Sequence, residues 1–212
     1  MIDKWLSKSK LNNGLEKLSR KLFFEKISAN QLTVMGLVIG LLSALSIVLS
    51  EFSSWTFGFI ICSLVLMVLS FFFDVLDGAV ARLENPSIFG GILDIFCDRT
   101  VEVSIIMALI STDPSTLIWP GIFSLGAIIL CITMFLVVGG AIKEIDLEES
   151  KKVIYYRHGL MERSETLLFL LLITILIPWR FILFMIFAIL VLLTALLRLK
   201  DAFIIFKPRK IK

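Results

Sequence analysis

Four aspartates, Asp74, Asp77, Asp94 and Asp98, interrupt a chain that is otherwise almost continuously apolar around them. An ionisable side chain at membrane depth costs roughly 2.5–3.5 kcal/mol even on the mildest scale, so such groups mark function by default. Asp74 and Asp77 are three residues apart and Asp94 and Asp98 four apart, so on helices each pair shares a face. Between the pairs lies Glu84-Asn85-Pro86-Ser87, a break that lets two antiparallel helices bring all four acids together. Carboxylates gathered so closely repel one another unless cations are present. Oxygen-only donors suit hard divalent ions, and two ions sharing carboxylates form a clamp for chemistry at phosphorus. The spacing therefore predicts a Mg²⁺ or Mn²⁺ site holding two ions. Cys97 adjoins Asp98 but is expected on another side of its helix, and the single histidine, His158, is distant. Aspartates that only cap or pair structurally are the plainer alternative.

Small residues accompany the acids. Gly78 and Ala81 follow Asp77 on nearly the same face, and Gly90 and Gly91 open the second helix. Such residues admit a neighbouring backbone or a flat ligand. Packing alone does not call for the full order Asp-x2-Asp-Gly-x2-Ala-Arg, seven residues, Gly-x3-Asp-x3-Asp. That order, eight specified positions between Asp74 and Asp98, resembles the signature of the CDP-alcohol phosphatidyltransferase family.

The elements that must position these residues are legible from hydropathy. The chain has 212 residues, 58% of them hydrophobic, and a mean hydropathy of +0.97. This composition predicts an all-α polytopic membrane protein with one helical domain. Six spans are expected near 31–50, 54–83, 88–111, 116–141, 165–179 and 180–198. Residues 1–29 are too charged to cross. Leu11, Leu15, Leu18 and Leu22 recur at helical spacing among lysines and arginines, which reads as an interfacial amphipathic helix. No short apolar core with a small-residue cleavage site follows this leader, so no signal peptide is expected. The domains are then the juxtamembrane helix 1–29, the membrane domain 30–200 and a basic tail 201–212.

Loop charge gives orientation. The leader carries seven Lys and Arg, the 142–164 loop five and the chain from Arg198 onward six, whereas the connections near Glu51 and Asp113 carry none. Both termini and the acidic cluster are therefore expected on the cytoplasmic side of the cell (inner) membrane. A net charge of +3, with its cations confined to loops, speaks against a nucleic-acid partner. Three cysteines, Cys62, Cys97 and Cys131, lie in apolar segments and read as buried thiols without a disulfide framework.

Further candidates follow from the resemblance. Ser28-Ala29-Asn30-Gln31-Leu32-Thr33 resembles the family's Pro-Asn-x-Leu-Thr element, with Ala29 where proline often stands, and it nominates Asn30 and Thr33 for the cytidine site. An N-cap for the first span is the structural alternative. Gly78, Ala81, Arg82 and Ser87 are the other nucleotide candidates, Arg82 also reading as a snorkelling arginine. The segment Gly159-Leu160-Met161-Glu162-Arg163-Ser164-Glu165-Thr166 resembles the acceptor-phosphate element of members that use a phosphorylated alcohol. Arg163 matches one basic position there, and Thr166 stands where a second arginine often appears. Arg198 is another acceptor candidate, and positive-inside anchoring accounts for either arginine equally well.

The resemblance implies transfer of a phosphatidyl group from a CDP-linked lipid to an alcohol, with release of CMP. In that scheme Asp74, Asp77, Asp94 and Asp98 hold metal, and Asp98 is the general base. It also implies a homodimer. An ion transporter is the competing class, but its acids would be spread along a pathway rather than bunched at one end of two spans. An inert membrane scaffold would not require the acids and glycines together.

Overall fold

The computed structural model describes residues 27–84, 87–148 (side chains through 141), 161 and 163–206. Among them are six long helices: α1 (Ala29–Phe52), α2 (Thr56–Leu83), α3 (Ile88–Thr112), α4 (Pro114–Glu148), α5 (Arg163–Ile175) and α6 (Arg180–Ile205). A single 3-10 turn, Ile177–Trp179, joins α5 to α6 at the boundary expected between the spans 165–179 and 180–198. No strand occurs among the described residues. The leader helix, with Trp5, and His158 lie outside them.

Four segments are long and apolar enough to cross a membrane: Ala29–Phe52, Thr56–Leu83, Pro114–Ala141 and Ile177–Ile205. The two helices that fall short of the six expected do so for different reasons. Helix α3 carries Asp94, Asp98, Arg99 and Glu102 within its 25 residues. Helix α5 has only 13 residues, about 20 Å at 1.5 Å per residue. Helices α4 and α6 overrun their expected ends, α6 by five residues into the stretch read as tail.

Helix α1 turns mostly small residues inward and large apolar ones outward. The buried stripe of α1 includes Gly36, Gly40, Ser43, Ile47 and Ser50, whereas Val34, Val38, Leu41, Leu45 and Leu49 face outward. Small inward residues and large apolar outward ones suit helices that meet in lipid. A Cβ on Gly40 would lie 2.5 Å from Val101 and 2.9 Å from the Ser70 hydroxyl, so α1, α2 and α3 close to a distance only glycine permits. Hydroxyls stitch the same seam: Ser70 donates to the Gly36 carbonyl (2.7 Å) and Ser43 to that of Ser63 (2.9 Å).

Helix α4 packs on α6, and α5 touches α2, α3 and α6. Ile47, Met67, Ile105, Leu109, Leu170, Phe184 and Phe187 belong to the core between these groups. A smaller cluster, Leu32, Leu76 and Val80, joins α1 and α2 beneath the acidic end. Cys97 and Cys131 are buried as expected, but Cys62 is exposed. The Ser46 hydroxyl of α1 donates to its sulfur at 3.9 Å, so Cys62 lies at the edge of the α1–α2 seam and not within it.

Candidate active site at the carboxylate cluster

Helix starts set the site. Ser28 caps α1 in a reciprocal box: its hydroxyl accepts from the Gln31 amide (3.3 Å), and the Gln31 side chain accepts from the Ser28 amide (3.0 Å). The cap is thus Ser28, which leaves Asn30 and Thr33 pointing to other work. Ser87 caps α3, accepting from the Gly90 amide at 2.9 Å. With both ends pinned, α2 and α3 turn their acidic faces toward each other.

Three carboxylates converge. Oxygen atoms of Asp74, Asp94 and Asp98 all lie within 4.8 Å of one another, and this is the metal-competent group among the described residues. Arg163, the first residue of α5, inserts its guanidinium among them. It pairs with Asp74 and Asp98 and lies 3.4 Å from Asp94. The residue nominated for an acceptor phosphate therefore contacts the proposed metal ligands directly. The donor set is all oxygen and anionic, and the cation among the acids shows that the fold concentrates negative charge there. Both features fit a hard divalent ion.

Asp77 stands apart from this tight group. It is buried, and its Oδ2 accepts from the Thr33 hydroxyl at 2.6 Å. A cavity of about 30 Å³, large enough for one water-sized group, is lined by Asp74, Asp77, Asp98, Arg163 and Cys97 among others. Cys97 thus borders the acids rather than facing elsewhere, because α1 and α2 wrap far enough around α3 to enclose the neighbouring position.

Two larger cavities flank the acids. One of about 260 Å³ is lined by Asn30, Thr33, Asp77, Gly78, Ala81, Ser87, Gly90 and Asp94. A Cβ on Gly90 would come within 3.0 Å of both Asn30 Oδ1 and Ser87 Oγ, so the glycine keeps this floor open. Arg82 is exposed and outside that lining, with its Nη1 3.6 Å from where a Cβ on Gly78 would sit. The other cavity, about 370 Å³, lies across Asp98 and includes Arg99, Arg163, Thr166 and Arg198 in its wall. Arg198 donates to the Cys131 carbonyl (2.9 Å) and stacks over the Phe135 ring at 5.1 Å.

Sequence reasoning missed Arg99 and Glu102. Glu102 is buried and its Oε2 is 2.6 Å from Arg99 Nη1. Its signal was present, since Asp94, Asp98 and Glu102 continue a four-residue period along one helix face.

Comparison with known proteins agrees with this arrangement. The family model described as CDP-alcohol phosphatidyltransferase matches residues 26–197. This chain belongs to the CDP-alcohol phosphatidyltransferase family. The resemblance read between Asp74 and Asp98 is borne out, and the members of this family are enzymes. Its four apolar spans and its family make the chain an integral membrane protein. The archaetidylinositol phosphate synthase of Pyrococcus horikoshii is 33% identical over 101 residues, covering 47% of this phosphatidyltransferase-family chain and 50% of that protein. The chain thus matches about half the length of that curated relative. Two crystal structures of the Mycobacterium tuberculosis phosphatidylinositol phosphate synthase share the fold at 18% identity. One, with CDP-DAG bound, has a TM-score of 0.68 and covers 89% of this chain and 93% of its own. The other, in complex with manganese and citrate, has a TM-score of 0.69 and covers 89% and 88%.

Proposed function

We propose that this chain transfers a phosphatidyl group from a CDP-linked lipid such as CDP-diacylglycerol to the hydroxyl of an alcohol, releasing CMP. The observation that carries the reading is the convergence of Asp74, Asp94 and Asp98 between two cavities of unlike character. In this reading the cavity beside Asn30, Thr33, Gly78, Ala81 and Ser87 takes the cytidine diphosphate, with Arg82 reaching in from its rim. The cavity beside Arg163 and Arg198 takes the acceptor.

Asp74, Asp77, Asp94 and Asp98 would hold the divalent cations, two Mg²⁺ or Mn²⁺, whose charge neutralises the diphosphate and polarises the phosphorus under attack. The carboxylates contribute position and charge. Thr33 fixes one oxygen of Asp77, so that aspartate presents the other in a defined direction. Asp98 borders the acceptor cavity and the small cavity between the acids, where a base must stand to take the proton of the attacking hydroxyl. The acceptor oxygen forms a bond to the lipid-side phosphorus, the phosphoanhydride bond breaks, and CMP carries away its electron pair. Little covalent chemistry falls to the protein, so positioning dominates.

The lipid tails of the donor remain among apolar helix faces while its head enters from the cytoplasmic side of the cell membrane. The remaining parts of the reading are six crossings, cytoplasmic termini and a homodimer. The first two are tested by cysteine-accessibility mapping of the loops, and the third by the mass of the detergent-solubilised protein. Citrate with manganese in the Mycobacterium relative, and inositol phosphate in the names of both relatives, support a divalent metal and an anionic acceptor here.

Purified protein with Mn²⁺ and CDP-diacylglycerol should release CMP with at least one acceptor among inositol phosphate, glycerol 3-phosphate, inositol, serine and glycerol. Asp98→Asn should lower that release by about 10²–10⁴-fold, the range for loss of a general base. Absence of release with every acceptor, or full activity in Asp98→Asn, would overturn the reading.

A further inference from the structure

Glu102 sits one helical turn beyond Asp98 and is 2% exposed, yet no part of the reaction above uses it. A carboxylate buried in a helix bundle is retained at a stability penalty unless it is paired, and replacing such a pair by apolar residues is often neutral or favourable. Its partner is Arg99, whose Nη1 lies 2.6 Å from Glu102 Oε2. The pair is asymmetric. The Glu102 side chain is 3% accessible and that of Arg99 28%, so the acid is beneath the surface and the guanidinium is at it. That surface is the wall of the 370 Å³ cavity, where Arg99 stands with Asp98, Arg163 and Arg198.

A guanidinium presents five N–H donors in a rigid fork, and the contact with Glu102 engages one end of it. Three arginines around one cavity, on three different helices, make a basin for a dianion rather than for a neutral polyol. Glu102 also solves a local problem. Asp98, the neighbouring acid on α3, already pairs with Arg163, and Glu102 gives Arg99 a partner of its own. A buried anchor three residues further on pulls Arg99 the other way along the helix.

We propose that Arg99 is a third basic contact for the acceptor's anionic group, and that Glu102 is the positioning residue that orients it, making this cavity selective for a phosphorylated alcohol. The proposal rests on the transferase reading for its substrate and on the cavity alone for its anion. The Arg99–Glu102 pair accounts for anion recognition where Thr166 stands in place of a second arginine on α5.

The test uses the full chain in detergent with Mn²⁺ and CDP-diacylglycerol, and measures CMP release against inositol phosphate and glycerol 3-phosphate, with inorganic phosphate as competitor. Arg99→Gln should raise KM for the phosphorylated acceptor and weaken phosphate inhibition by about ten-fold or more, the scale of a lost hydrogen bond to a charged group. Arg99→Lys should fall between, since it restores charge without the fork. Glu102→Gln should shift KM and phosphate inhibition in the same direction by several-fold, with the loss falling on KM rather than kcat. Unchanged KM and phosphate inhibition in Arg99→Gln would overturn the proposal, as would a Glu102→Gln loss confined to kcat. If the wild type releases no CMP, the transferase reading falls alone. Calorimetric binding of inorganic phosphate to wild type and Arg99→Gln then decides whether the cavity is an anion site. Equal binding by the two overturns it.

Discussion

Two arginines flank α5, and the fold surrounds them with opposite kinds of partner. Arg163, at the start of α5, meets the carboxylates of Asp74, Asp94 and Asp98. Arg180, just past its end, is buried and meets neutral oxygens. It donates to the carbonyls of Ile173 (3.1 Å) and Thr174 (3.3 Å) and to the Thr112 hydroxyl (2.8 Å). Those carbonyls are among the last four of α5, which have no partner within the helix. Arg180 therefore acts as a C-terminal cap that also ties α5 to α3. Neutral carbonyls hold a guanidinium by geometry, and the fold has no other use for them. Carboxylates hold it by charge, and charge can be satisfied equally by a divalent ion. One end of the bundle holds its arginine with neutral oxygens, and the other holds it with carboxylates that any cation can balance.

The largest expected effect separates the two ends by chemistry. Replacing Asp74 and Asp94 together by Asn should abolish CMP release, by about 10³-fold or more, and remove the bound-Mn²⁺ signal in electron paramagnetic resonance. Removing Arg180 should act on stability instead. Arg180→Met removes the donor to the Ile173 and Thr174 carbonyls and cuts the tie to Thr112, and should destabilise the protein by about 2–3 kcal/mol in denaturant titration. Arg163→Gln completes the contrast. It removes the cation that competes for the acids, so Mn²⁺ should bind about ten-fold tighter in the absence of substrates. If Arg163→Gln proves as destabilising as Arg180→Met and leaves Mn²⁺ affinity unchanged, the distinction between the two ends is lost.

The smallest effect is at the α3–α4 connection, on Arg180's side of the bundle. Asp113 accepts from the Ser115 hydroxyl (2.6 Å), the Thr116 hydroxyl and the Thr116 amide (3.4 Å), capping α4 ahead of Pro114. These donors, Ser115 first, hold its carboxyl below the ordinary value of 3.8. The unfolded chain then binds more protons than the folded one as pH falls through that range. The cap's contribution is present above the ordinary value and lost below the depressed one. Asp113→Asn should lower the melting temperature slightly at neutral pH, with a gap to wild type that closes in acid. A gap independent of pH would mean that the charge of Asp113 contributes nothing to the cap.

Much of the site could be read before any coordinates. The order from Asp74 to Asp98 placed two acidic faces on adjacent helices, because helical spacing and the Pro86 break are local properties. The same logic found the α5–α6 turn and most helix limits. It failed where neighbours decide. Cys62 and Cys97 both read as buried thiols, yet one is exposed and the other borders the acids. Asp77 belongs to the same motif as Asp74, but Thr33, 44 residues earlier, draws it toward the opposite cavity. Glu102, which sequence reasoning missed, takes its direction from Arg99 and the cavity beyond it.

From its residue order alone, this protein is committed to membrane helices, to an acidic centre and to a family signature, because hydropathy, helical period and motif spacing act within short stretches of chain. Which acids meet, which arginine neutralises them and which cavity each borders depend on the packing of α1, α2, α3 and α5. Those contacts join residues dozens of positions apart, and a guanidinium or a carboxylate has no direction until the helices around it are in place.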